Sequence, residues 1–156
     1  NLDLDKSIEL NLRIPALIPE TYLPDVHNRL IMYKRISSSK SKDELRELQV
    51  EMIDRFGLLP EPLKRLFNLT QLKIKAKKFG IKKIDANVST GRIEFTKKTN
   101  VDPLSIVELI QNDPNHYKLI DANQLNFSHD NSSADEKLNF ITSILNKLKL
   151  IEQNIT

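Results

Sequence analysis

The chain has 156 residues, 39% of them hydrophobic and 29% charged, which suits one domain with a single buried core and a soluble exterior. A net charge of +3 is mild for a dedicated nucleic-acid module, and the absence of cysteine excludes disulfides, thiolate catalysis and cysteine-ligated metals. Its three glycines, Gly57, Gly80 and Gly91, complete neither phosphate-binding loop pattern, and no apolar run approaches the roughly 18 residues of a membrane span.

Residues 1–6 read as a tail or linker, 7–152 as a single domain and 153–156 as a second tail. From Ile8 to Ile14 apolar and polar residues alternate, the period of a half-buried strand, and Pro15 and Pro19 end it. This strand has no neighbour in sequence, so it must pair across the chain or with another one. Pro24 suits the first turn of a helix that places Val26, Leu30, Tyr33 and Ile36 at helical spacing. Ser41 and Glu44 read as a capping box, each side chain serving a backbone N–H of the other's turn. The helix they open gathers Leu45, Leu48, Met52 and Phe56 into one stripe. Gly57 then reads as a left-handed cap with a hydrophobic contact from Leu58.

Pro62 opens the next helix, with Leu63, Leu66, Leu69 and Ala76 on its inner face and Phe79-Gly80 at its end. Residues 81–88 and 92–96 form a hairpin turning at Ser89-Thr90-Gly91, and 117–120 and 124–127 form a second turning at 121–123. Between them Asp102-Pro103 starts a helix bearing Leu104, Val107, Leu109 and Ile110. Ser133 and Glu136 repeat the capping box ahead of a helix bearing Leu138, Ile141, Ile144, Leu145, Leu148 and Ile151. The fold expected is α+β: about five helices, two β-hairpins and an additional N-terminal strand, with mainly antiparallel pairing.

Nothing in this order assembles a catalytic centre. His27, His116 and His129 are scattered without a carboxylate or histidine at a metal-binding spacing, which makes them surface or hairpin residues. No catalytic, cofactor-binding or metal residue is expected, and the chain alone is not expected to be an enzyme. Two charged clusters remain. Lys73, Lys75, Lys77, Lys78, Lys82 and Lys83 crowd around Gly80. They read either as a phosphate-contacting patch or as lysines that complement a helix C-terminus. On the Ser41–Phe56 helix, Glu44, Glu47, Glu51 and Asp54 share one narrow face beside the apolar stripe, with Arg46 and Arg55 assigned to other faces. Such a row repels itself slightly, and it suits a basic partner surface.

Three stretches, Arg13 to Pro19, Tyr22 to Val26 and Arg29 to Ile36, resemble the C-terminal domain of the bacterial transcription-repair-coupling factor (Mfd) family. Glu51 to Pro60, with its Asp54-Arg55-Phe56-Gly57 run, and Phe79 to Ile84 leading into Ile93-Glu94-Phe95 are similar to it as well. The resemblance covers about residues 7–150. It implies a cytoplasmic, bacterial DNA-repair protein: an ATP-driven DNA translocase that displaces stalled RNA polymerase and recruits UvrA. The motor, with its ATP and magnesium, then lies elsewhere in the parent chain. The domain itself is implied to be an autoinhibitory clamp that packs on a UvrB-like module and masks its basic UvrA-binding surface. On that reading Glu51 and then Asp54 lead the contact, with Glu47 and Glu44 behind them. The competing expectation is a nucleic-acid-contacting accessory module that uses the Lys73–Lys83 cluster on duplex DNA.

Overall fold

A computed structural model describes residues 8–130 and 133–151, so the expected tails at 1–6 and 153–156 lie outside the described residues. Within the span assigned to one domain, the contacts gather into two compact units, residues 14–74 and residues 8–13 with 75–151.

The first unit is helical. It holds α1 (Val26–Ser37), α2 (Lys42–Phe56) and most of α3 (Glu61–Lys78), whose last turn counts with the second unit. Its core joins Ile18, Leu23, Met32, Ile36, Leu45, Leu48, Met52, Leu63 and Phe67. The α2 stripe is buried as its spacing requires, whereas that of α1 is buried only in part. Ile36 is buried and Tyr33 packs against the core as the spacing requires, while Val26 and Leu30 are exposed and Met32 is buried with Ile36 in their place. The Asp25 cap carboxylate accepts from the His27 N–H at 3.0 Å, which leaves Pro24 outside the first turn. Gly57 adopts φ +102°, a backbone region that disfavours any side chain. Leu58 makes no hydrophobic cap contact, being 84% exposed, and Leu59 packs against the core in its place.

The second unit is built on a five-stranded sheet in the order β1-β2-β3-β5-β4: β1 (Glu9–Asn11), β2 (Ile81–Ala86), β3 (Thr90–Phe95), β4 (Tyr117–Asp121) and β5 (Gln124–Ser128). Both hairpins form, and β3 joins β5 antiparallel to merge them. Strand β1 finds its partner within the chain, running parallel to β2 with Leu10 opposite Ile84. It is shorter than the alternation promised, since Arg13 turns the backbone at φ +55°. Gly91 belongs to β3 rather than to the turn. A Cβ there would stand 2.3 Å from the Phe127 ring on the neighbouring strand, so the glycine admits that ring.

Two helices complete this unit, α4 (Pro103–Asn112) and α5 (Ala134–Lys147). On α4 the buried residues are Ser105, Ile106 and Leu109, while Leu104 and Val107 are exposed. α5 buries Leu138, Ile141, Ile144 and Leu145 as expected, but it ends at Lys147, and Ile151 is exposed beyond it. Lys137 is an unforeseen buried cation. Its ammonium donates to the Leu12 carbonyl at 2.8 Å, and burial pushes its pKa down.

Candidate functional site

Helix α2 cannot present its two faces interchangeably. Leu45 and Met52 are fully buried and Leu48 nearly so, which fixes the rotation of the helix. At about 100° per residue, Glu44, Glu47, Glu51 and Asp54 then fall within roughly 80° of arc on the outward side. Their chemical states differ.

Glu44 is committed to the helix end. Ser41 Oγ accepts from the Glu44 N–H at 3.1 Å, and the Glu44 carboxylate accepts from the Lys40 N–H at 2.6 Å. The capping box thus closes one residue further out than its usual pattern, on Lys40 rather than on Ser41.

Glu51 is held by two arginines. Arg35 of α1 donates through both terminal nitrogens, at 2.5 Å to Oε2 and 2.7 Å to Oε1, a fork matched to a carboxylate. Arg55 adds a third bond to Oε2 at 3.0 Å. The expectation that Arg55 lies on another face is therefore corrected: four residues on, it stands only about 40° around the helix from Glu51. These donors hold the Glu51 carboxyl at about 2, well under its ordinary 4.5.

Glu47 and Asp54 are exposed and make no hydrogen bond or ion pair among the described residues. Between and beside them stand Val50, 56% exposed, and Ile53, 38% exposed. Sequence reasoning passed over this apolar pair. The signal was present, because both residues fall outside the stripe from Leu45 to Phe56 and so have no core to enter. The outward side of α2 thus carries two free carboxylates beside an apolar spot that also holds exposed Arg46, with a third carboxylate already shared.

The lysine cluster is divided too. Lys73, Lys77, Lys78 and Lys82 are exposed, without a described partner. Lys75 bonds Asn146 Oδ1 and stands 5.7 Å over the Phe79 ring, and Lys83 pairs with Glu9 at 3.7 Å.

The histidines do not converge. His129 is buried among the Phe127 and Phe140 rings directly after β5, so of the surface and hairpin alternatives only the hairpin one describes it. His116 has a carboxylate partner that its spacing had not disclosed, Asp113 three residues back, at 2.8 Å from Nδ1. It lines an open cleft of about 490 Å³ on the polar side of the sheet, together with Asp85, Arg92, Lys118 and Asn126. Among the described residues no group of three or more His, Asp or Glu is placed to hold a metal. No helix among them is long and apolar enough to cross a membrane.

The TRCF domain model matches residues 12–106. The transcription-repair-coupling factor of Escherichia coli (strain K12) is 40% identical over 141 residues, 90% of this chain and 12% of the relative. That of Haemophilus influenzae is 42% identical over 137 residues, 88% of this chain and 12% of the relative. The chain therefore spans only about an eighth of the length of these relatives. A crystal structure of the C-terminal domain of a transcription-repair coupling factor superposes with a TM-score of 0.75 at 25% identity, covering 90% of this chain and 93% of that one. The family match spans more than half of the chain and the fold agrees, so the chain belongs to the TRCF domain family of transcription-repair-coupling factors.

Proposed function

We propose that this chain is an autoinhibitory protein-interaction domain of a transcription-repair-coupling factor. In this reading the outward face of α2 docks on the basic UvrA-binding surface of a UvrB-like module and masks it. The parent is then a cytoplasmic, ATP-dependent DNA translocase that displaces stalled RNA polymerase and recruits UvrA. Its ATP and magnesium belong to motor domains elsewhere, and this chain supplies neither catalysis nor cofactor binding.

The observation that carries the reading is the pair of free carboxylates, Glu47 and Asp54, flanking exposed Val50 and Ile53 on a helix whose rotation is fixed by its buried stripe. An apolar spot supplies contact area, and unpaired charges beside it orient a basic partner and exclude acidic ones. Asp54 now leads, Glu47 follows, and Glu51 contributes through the Oε1 that Arg35 only half occupies. Glu44, bound to the Lys40 N–H, contributes least.

The test is made in the full-length parent protein. Asp54→Lys, and Glu47→Lys beside it, should unmask the module and raise UvrA binding; unchanged binding overturns the reading. Glu51→Lys is the poorer probe, since it would also drive an ammonium against Arg35 and Arg55. The nucleic-acid reading rests on the exposed Lys73, Lys77, Lys78 and Lys82. Tight, steeply salt-dependent binding of this chain to duplex DNA would favour it over docking.

A further inference from the structure

A docking face is expected to hold its charges ready for the partner, yet the most central carboxylate on α2 is already occupied from within. We infer that Arg35 is an internal competitor for Glu51, a built-in counter-ion that keeps docking weak enough to be released. The inference rests on the docking proposed above and names how that docking is tuned.

The geometry is specific to Arg35. Its guanidinium reaches from α1 to α2 and bonds both Glu51 oxygens, while Arg55 reaches only Oε2 and lies on the same helix as its acceptor. Three of the roughly four lone-pair directions on the carboxylate are thereby filled by groups of this chain. A partner arginine seeking a two-bond fork on Glu51 must first displace Arg35. A partner lysine, needing a single bond, can take the open direction on Oε1. Arg35 is also solvent-exposed at its head, with side-chain exposure of 44%, so it can swing away without unfolding either helix. Burial does not lock the pair, and exchange of one arginine for another conserves its hydrogen bonds. The net strength of docking is therefore the difference between an outside bond and an inside one.

Lys34 provides the matched control. It neighbours Arg35 on α1, is exposed, carries the same charge and makes no bond to Glu51. The experiment titrates this chain with a separately purified UvrB-like module and follows binding calorimetrically for wild type, Arg35→Gln, Lys34→Gln and Asp54→Lys. Arg35→Gln should tighten binding about threefold more than Lys34→Gln, the scale of an exposed ion pair. That extra gain should vanish in a Glu51→Gln background. Equal tightening by the two substitutions overturns the inference, because it would report net charge alone. Weaker binding of Arg35→Gln also overturns it, because Arg35 would then be a contact and not a competitor. Undiminished binding of Asp54→Lys instead sinks the docking reading itself.

Discussion

Two polar surfaces of this molecule treat charge in opposite ways. On the open face of the sheet, three cations are matched within the fold, while Lys118 is exposed without a described partner: Arg13 holds Asp85 at 2.6 Å, Arg92 holds Glu94 at 2.8 Å and Lys83 approaches Glu9 at 3.7 Å. Gln124 and Asn126 bond each other on the same strand at 2.9 Å. On α2, by contrast, only Glu51 is matched, and Glu47 and Asp54 are left to solvent beside exposed Val50 and Ile53. Lys118 apart, the charges named on the sheet surface are already satisfied within the fold. The helix surface keeps unpaired charge beside exposed apolar area, which is what the docking proposed above requires of it.

The contrast depends on α2 being locked in rotation, and the largest predicted effects come from unlocking it or its counterpart. Met52→Ala removes a fully buried side chain from the α2 stripe and should cost about 2–5 kcal/mol, read as a lowered urea midpoint. The docking proposed above should weaken along with it, since the outward face loses its fixed direction. On the sheet side, Gly91→Ala forces a Cβ against the Phe127 ring and the Asp85 carbonyl. It should cost about 1–3 kcal/mol by overpacking and leave the α2 face unchanged in binding.

These same residues show how much of the molecule was legible in sequence. Leu45, Leu48 and Met52 declared the buried face of α2 by spacing alone, because a helix offers one core-facing stripe. Both hairpins were legible from alternation and turn residues. The partner of β1 was not, since Leu10 meets Ile84 across 74 residues and no local pattern encodes so distant a pairing. Helix α1 was legible in part: Tyr33 and Ile36 meet the core, but Val26 and Leu30 share the helical spacing and lie exposed, since periodicity identifies a stripe but not whether a core exists to receive all of it. The acidic row was visible, while its division into bound and free carboxylates was not. That division depends on Arg35, which approaches Glu51 from another helix.

Charge substitutions test the contrast more finely. Asp85→Ala deprives Arg13 of its partner and should cost up to about 1 kcal/mol, the range of partly exposed ion pairs. Asp54→Ala removes a carboxylate that has no partner and stands three residues from Glu51. It should change stability by less than about 0.5 kcal/mol, and a slight gain is expected from relieved repulsion. Comparable losses at the two positions, measured by chemical denaturation, would erase the distinction between matched and unmatched surfaces.

The smallest effect is also the one with the clearest sign. Arg35 first, then Arg55, lower the Glu51 carboxyl from its ordinary 4.5 to about 2. A carboxylate whose pKa falls on folding stabilises the native state above the unfolded value, and that stability drains away as pH falls toward the folded one. Stability should therefore decline through the window from about 4.5 down to about 2 in part because of Glu51. Arg13 lowers Asp85 in the same direction, so both surfaces contribute to one acid limb. Glu51→Gln should flatten the helical contribution and Asp85→Asn the sheet contribution, each leaving the other intact. Solvent screening keeps both amplitudes small. An acid limb unchanged in Glu51→Gln, followed by urea denaturation across that window, would mean that neither arginine holds the Glu51 carboxylate in solution, and the division of the α2 row into bound and free carboxylates would fall.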